Sequence, residues 1–302
     1  MRKLVFLDIG SRGKVPDEWK SLGRFLKNGI EVHTFDLDPK SQMIEDGLFK
    51  YINHSCGLWS SVKSLDFFIT GLPVMSSCYR PNEEIKYFLK RHHEKRLVWD
   101  KISVQKVSTL DLEFTPGKSC DFIKCDTQGS EYEISKGGIN LLKQSCPIVA
   151  LETWSEEVYE SIPLDFEIKK LYYDIDYFLI YKDPSCGYWQ YDTKGRFPRS
   201  QGRFMGDNLL FVPKIKLLGK LSDEDLIAKL TILSYFRFYD YCYFFLNKLG
   251  KLHLLHIIDN IYHRNENLHS DLYRKLSRIL YESRRMKLLL KRFGINTTPK
   301  IT

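Results

Sequence analysis

Three short stretches of this chain carry acidic side chains and glycines at spacings suited to holding a nucleoside and to steering a proton. The first is Asp8-x-Gly10-x-x-Gly13, the second ends at Asp36, and the third runs Asp121-Phe-Ile-Lys-Cys-Asp126-Thr-Gln-Gly-Ser-Glu131. Glycines that follow a strand let the backbone approach a ligand and turn tightly into a helix. Arg12 occupies the place where a dinucleotide fingerprint needs its second glycine, so a pyrophosphate is kept away and a nicotinamide cofactor is disfavoured. The loop suits a smaller nucleoside with an amino-acid tail, of which S-adenosylmethionine is the example. Asp8, Gly10, Ser11 and Gly13 are then the cofactor-binding candidates. Asp36 stands 23 residues beyond Gly13, where a carboxylate can accept bonds from both ribose hydroxyls. Asp38-Pro39 reads as the opening of the next helix.

Asp126 sits where a strand gives way to a helix, over the carboxyl edge of a sheet. Proximity to a helix N-terminus favours its ionised form, which makes it a weak base but a good orienting group. Glu131 and His54, the latter at the end of the third strand, are the other candidate bases. No Pro-Pro-aromatic loop follows Asp126, which argues against exocyclic base amines as substrates. Ser77, beside Ser76 and ahead of Pro81-Asn82, either presents its hydroxyl to the ligand or caps a turn. No metal-ligand set is assigned; a divalent cation shared by Asp126 and Glu152 is the lesser alternative for acidifying a hydroxyl.

The elements that position these groups follow from apolar patterning. Lys3–Ile9 is a short apolar run, as in a strand buried on both faces of a parallel sheet. A helix begins near Pro16, with Trp19, Leu22, Phe25 and Leu26 at apolar spacing, and Ile30–Phe35 reads as the next strand. Later strands are expected at 50–56, 121–125, 148–152, 177–181 and 208–212, and helices at 83–93 and 132–142. Strand and helix alternate, which predicts an α/β, Rossmann-like, mostly parallel sheet. In such sheets ligands bind beyond the carboxyl ends of the strands.

The chain has 302 residues, 43% of them hydrophobic and 28% charged, an ordinary globular composition. No apolar stretch reaches the roughly 20 residues of a membrane span, and Met1–Phe6 runs straight into Asp8 without a secretory signal. A cytoplasmic protein is expected. Seven cysteines, with no C-x-x-C pair, read as reduced thiols rather than a disulfide or zinc framework. Charge is uneven: residues 214–302 hold 17 Lys and Arg against 8 Asp and Glu, and residues 1–213 hold 29 against 30. The reading is two domains, 1–213 and a basic helical segment 214–302, with Leu252, Leu255, Ile258 and Ile261 at helical spacing. That segment is a solvated helical cap, or a contact for an anionic membrane face or lipid-linked glycan. Its aromatic residues cluster in Tyr235–Phe245 away from the arginines, which disfavours nucleic acid.

Leu110-Asp111, the run Asp121–Ile134, Gly137-Gly138 and Leu151-Glu152 together resemble the FkbM family of methyltransferases. The resemblance extends from Asp8 to Asp207 and Phe211-Val212, over about residues 3–213. Gln128 stands where the family often has an acidic residue. The resemblance implies a class I methyltransferase sheet, S-adenosylmethionine as cofactor and O-methylation of a sugar hydroxyl in a surface polysaccharide or glycoconjugate. Methylation of a small natural product or lipid, and a binding protein without turnover, are the alternatives. A location in the cytoplasm, or peripherally at the inner membrane face, goes with this reading.

Overall fold

The computed structural model describes residues 2–10, 19–20, 22–23, 26, 29–37, 47–85, 98–114, 119–189, 191, 196 and 201–264. Ser11, Gly13, Asp38 and residues 86–93 of the helix expected at 83–93 lie outside the described residues. Ten strands are described: β1 Leu4–Ile9, β2 Ile30–Phe35, β3 Phe49–His54, β4 Gly57–Leu58, β5 Lys63–Thr70, β6 Trp99–Ser108, β7 Phe122–Cys125, β8 Ile148–Trp154, β9 Tyr177–Trp189 and β10 Arg203–Pro213. The described α-helices are α1 Leu110–Glu113, α2 Glu131–Lys136, α3 Ile139–Ser145, α4 Asp165–Asp174, α5 Ile215–Leu218, α6 Asp223–Tyr235 and α7 Tyr239–Lys248.

Seven strands form one sheet in the order β3-β2-β1-β7-β8-β10-β9. β3, β2, β1, β7 and β8 run parallel, and β10 is antiparallel to both β8 and β9. This is the mixed α/β, Rossmann-like sheet that the alternation of elements predicts. From β1 the chain steps outward through β2 and β3 and then returns to the other side of β1 as β7. The order reverses there, and the crevice beyond the carboxyl ends of β1 and β7 is where such sheets bind ligands.

The two sheet faces differ in what they bury. Leu7, Ile9, Ile123, Cys125, Val149, Leu151, Leu209 and Phe211 belong to one buried cluster with Ile134, Leu141, Leu142, Ile168 and Tyr172 of α2, α3 and α4. Each such side chain contributes roughly 1.5–3 kcal/mol on burial. On the opposite face Trp19 packs edge-on against Phe6 and Phe122, at 4.9 and 5.5 Å between ring centroids. That face also carries Asp8 beside Lys124, which are register partners. A polar pair inside the sheet is costly and marks the place where packing yields to function.

Three findings depart from the sequence reading. The helix expected at 132–142 is two, α2 and α3, broken at Gly137-Gly138. A Cβ on Gly137 would lie 2.1 Å from the Trp59 carbonyl oxygen, so the chain must bend where only glycine fits. A second sheet, β4-β6-β5, was not foreseen. Its strands hide from pattern reading because Ile102 and Val104 face outward, 47% and 68% exposed. Finally, β9 and β10 are far longer than their apolar cores, since the antiparallel ladder continues through polar residues from Tyr177 to Trp189.

The chain divides into two compact units, Met1–Lys229 and Leu230–Thr302, so the division falls beyond Pro213. Within the first, Arg2 reaches Asp121 through two bonds of 2.7 Å, and Lys229 Nζ binds Asp121 Oδ1 at 2.5 Å. In the second, α7 buries Cys242, Phe245 and Leu246, and residues 255–264 are helical. Among the described residues no helix is long and apolar enough to cross a membrane. The six cysteines described as to their side chains all carry free thiols.

Candidate functional site

A cavity of about 310 Å3 opens at the carboxyl edge of the sheet. Its lining comes from the ends of the three strands around the order reversal: Gly10 after β1, Asp36 and Leu37 after β2, and Asp126, Thr127 and Gln128 after β7. The second sheet closes one side with Leu58, Phe67 and Val107, which form an apolar wall beside Leu37.

Gly10 is required by close approach. Its φ is +81°, and a Cβ there would lie 2.1 Å from the Asp126 carbonyl oxygen. Its amide donates to Phe35 O at 2.9 Å, and the Asp126 amide donates to Ile9 O at 3.0 Å, so the ends of β1, β2 and β7 are tied together. Asp36 leaves β2 with its amide donating to His54 O at 3.2 Å.

The turn from Asp126 to Gly129 is wrapped around Glu131. The Glu131 carboxylate accepts the amides of Thr127 at 2.7 Å and Gly129 at 2.9 Å, and the Thr127 hydroxyl at 3.0 Å. It is buried, and burial pushes its pKa up to about 7. A carboxylate so committed holds the turn, and Glu131 is not part of the cavity lining. Ser77 has a similar place: its hydroxyl donates to Gln128 O at 2.6 Å and accepts the Tyr79 amide at 3.0 Å. Ser76 lines the cavity instead, its Oγ accepting the Thr70 amide at 3.1 Å.

Gln128 is the residue that sequence reasoning undervalued. Its φ is +60°, its Nε2 donates to Asp126 Oδ1 at 3.0 Å, and its Oε1 accepts from the Tyr159 hydroxyl at 3.0 Å. Where an acid would repel Asp126, the amide orients it. Lys124 was visible only as part of a motif. Its Nζ lies 3.4 Å from Asp126 Oδ2 and 3.7 Å from Asp8 Oδ1, and it lines the cavity.

Asp8 lies beneath the cavity rather than in its lining. It is wholly buried, and among the described residues neither carboxylate oxygen has a hydrogen-bond partner. Burial, opposed by Lys124 and reinforced by Asp126, raises its pKa to about 6. His54 does not line the cavity either. Its Nε2 is 3.0 Å from His33 Nδ1, its ring stacks on Phe35 at 4.3 Å, and His33 Nε2 is 3.1 Å from Glu31 Oε1. Among the described residues no group of three or more His, Cys, Asp or Glu is placed to hold a metal ion. The cation beside Asp126 is Lys124.

The site therefore brings Gly10, Asp36 and Asp126 to one cavity and leaves Asp8, Ser77, Glu131 and His54 behind or beside it. With Asp36, Asp126 and the buried Asp8 against the single ammonium of Lys124, the region is net negative and attracts a cationic ligand. S-adenosylmethionine, with a sulfonium and an ammonium against one carboxylate, has that charge. The apolar wall would take its base, and Asp36 would hold the ribose hydroxyls.

Residues 11–188 match the methyltransferase FkbM domain. Among solved structures, the methyltransferase FkbM from Methylobacillus flagellatus KT is similar at 13% identity over 69% of this chain and 43% of that one, with a TM-score of 0.37. The LepI complex with SAM is similar at 8% identity over 70% of this chain and 43% of that one, with a TM-score of 0.32. The chain thus spans less than half the length of either structure. No protein with a curated description matches it. The domain match spans more than half of the chain and includes β2 and β7, whose ends line the cavity, so the chain belongs to the FkbM family of methyltransferases, and S-adenosylmethionine is the cofactor that membership brings.

Proposed function

We propose that this chain methylates a hydroxyl oxygen, with a carbohydrate or glycoconjugate as the acceptor. The observation that carries the reading is the position of two carboxylates at the ends of strands on either side of β1, Asp36 after β2 and Asp126 after β7, both in one cavity. Two strand spacings separate them, about 10 Å, which a nucleoside with a short tail spans. S-adenosylmethionine, when bound, supplies an electrophilic methyl group on a sulfonium.

The chain's own residues do the rest. Asp36 anchors one end of the ligand. Asp126, oriented by Gln128 and charge-balanced by Lys124, accepts the hydrogen bond of the acceptor hydroxyl and takes its proton as the oxygen is alkylated. Thr127 and Ser130, which also line the cavity, add the kind of polar contacts a sugar ring needs. Val74, also in the lining yet 51% exposed, favours an acceptor with an apolar body as well. Natural-product alcohols and lipids therefore belong in the same screen.

The test is incubation with isotope-labelled methyl donor and a panel of sugars, glycolipids, natural-product alcohols and amines, followed by mass spectrometry of the products. Label on a saccharide oxygen is the expected result. Label confined to nitrogen, or to non-sugar alcohols, would overturn the acceptor class. Donor binding without label on any acceptor would make the chain a binding protein.

A further inference from the structure

Asp126 has a second acidic neighbour that the reaction above leaves unused. Glu152 lies on β8, two residues beyond Ala150, the register partner of Lys124. It therefore projects from the same sheet face as Asp8 and Lys124, one step nearer the carboxyl edge, where Asp126 leaves β7. Cys125 pairs with Leu151, so the next step places Glu152 beside Asp126; Glu152 does not line the cavity, whereas Asp126 does. The other charged groups that act on it are Glu131 from α2 and Lys124 from β7.

Two carboxyl groups set side by side on neighbouring strands cannot both be ionised without strong repulsion, so such a pair holds one proton between them. The proton's place follows from the surroundings. Asp126 has Lys124 at 3.4 Å and the Gln128 amide at 3.0 Å, both of which favour its charge. Burial and the charge of Asp126 push Glu152 up to about 9. Glu152 is the member of the pair that keeps the proton.

We infer that Glu152, as the neutral acid, is a positioning residue for methyl transfer: its O–H pins one side of the Asp126 carboxylate and leaves the other for the acceptor hydroxyl. This deepens the proposed function and rests on it. In the transfer the acceptor O–H bond breaks and its proton passes to Asp126, an oxygen lone pair forms the new O–CH3 bond, and the carbon–sulfur pair returns to sulfur. The dyad then holds two protons and releases one to solvent. If Glu152 ionised instead, it would turn Asp126 and spread the negative charge away from the acceptor.

The test compares Glu152→Ala with Glu152→Gln in the full chain, using an acceptor found by labelling. Alanine is expected to lower kcat by about thirtyfold or more while donor Kd stays within about threefold. Glutamine, which still donates a hydrogen bond but cannot ionise, is expected to recover most of that loss. The wild type should lose activity as pH rises toward 9, and Glu152→Gln should not show that decline. Glutamine as inactive as alanine, or an unchanged alkaline limb in Glu152→Gln, would overturn the inference. A second measurement needs no turnover: in protein with 13C-labelled glutamate carboxyls, the Glu152 resonance should titrate near 9, and Asp126→Asn should move that titration to lower pH. Titration near the ordinary glutamate value would overturn the pairing. An absence of turnover with the NMR result intact would instead count against the proposed function alone.

Discussion

Asp121 and Asp126 flank the same four-residue strand, β7, one at each end of the sheet. Asp121, wholly buried, is gripped by Arg2 and by Lys229, whereas Asp126 opens into the cavity. Four residues of sequence thus separate an acid that holds the chain together from one that opens into the cavity. Burial acts against ionised Asp121, but Lys229 and Arg2 outweigh it and hold its pKa below the ordinary value.

Removing a partner from a buried ion pair leaves a charge uncompensated and costs about 3–5 kcal/mol. Lys229→Met is expected to lower unfolding stability by about 3 kcal/mol in urea titrations, since Arg2 still pairs with Asp121. A chain cut after Pro213 loses Asp225 as well, whose carboxylate binds Arg2 at 2.8 Å, and should be less stable than the point variant. A wild-type urea midpoint in Lys229→Met would show that the pair is dispensable.

Asp36→Ala should weaken binding of S-adenosylmethionine and its demethylated product at least about tenfold. Charge-assisted bonds to the ribose hydroxyls are worth roughly 1.5–3 kcal/mol each. The side chain is only partly buried, so thermal stability should stay within a few degrees. Calorimetry giving wild-type affinity would remove Asp36 from the ribose site.

Gln128→Ala separates orientation from binding. Its amide touches Asp126 and Tyr159, so its loss should lower kcat about tenfold while donor Kd changes little. Gln128→Glu should be worse, because it sets a second negative charge against Asp126. Equal loss of donor affinity and kcat in the alanine variant would mean that the residue shapes the donor pocket.

The parts legible in the sequence were those set by short-range pattern. The apolar runs of β1, β2, β7 and β8, and the glycine that must follow β1, are local signals. Asp111 shows the limit: it belongs to a recognisable Leu-Asp pair, yet its carboxylate caps α3 through the amides of Asn140 and Leu141, some thirty residues away. Glu131 is read as a candidate base, and Ser77 as either a ligand contact or a turn cap, because their types suit chemistry. Both are bonded to the Asp126–Gly129 turn, and no spacing reveals that. Glu152, on β8, meets Asp126 only through strand register, whereas Lys124 stands two residues before Asp126 on the same face of β7. The second sheet was hidden because its outward residues are apolar.

Three acids bind protons more tightly in the folded chain than their ordinary values allow, with pKa about 9 for Glu152, about 7 for Glu131 and about 6 for Asp8, burial being the first cause in each. Each is protonated when folded and ionised when unfolded across the interval between its two values, so stability falls as pH rises. The fall should begin near pH 4 and end near 9. Asp121 has the opposite sign, but its contribution is already complete above about pH 4 and offsets nothing in that window. Urea midpoints at pH 5, 7 and 9 should decrease in that order; a flat or rising series would contradict the burial of these carboxyls.

The net charge of the chain resides in one of its two units. Residues 230–302 hold 13 Lys and Arg against 5 Asp and Glu, whereas residues 1–229 hold 33 of each. A surplus of this size on one unit repels itself and is better tolerated against an anionic surface. Tyr243 and Phe244 on α7 and Tyr262 are 51%, 43% and 43% exposed, and aromatic side chains suit the interface of a bilayer. The full chain should therefore sediment with vesicles containing anionic lipid and leave neutral ones in solution. Binding should weaken as salt shortens the screening length from about 10 Å at 0.1 M to about 3 Å at 1 M. Tyr243→Ser with Phe244→Ser should reduce the vesicle-bound fraction severalfold without changing donor affinity, because neither residue lines the cavity. Retention on DNA at salt that releases the vesicles would assign the charge to nucleic acid, and indifference to both would make it ordinary solvated surface.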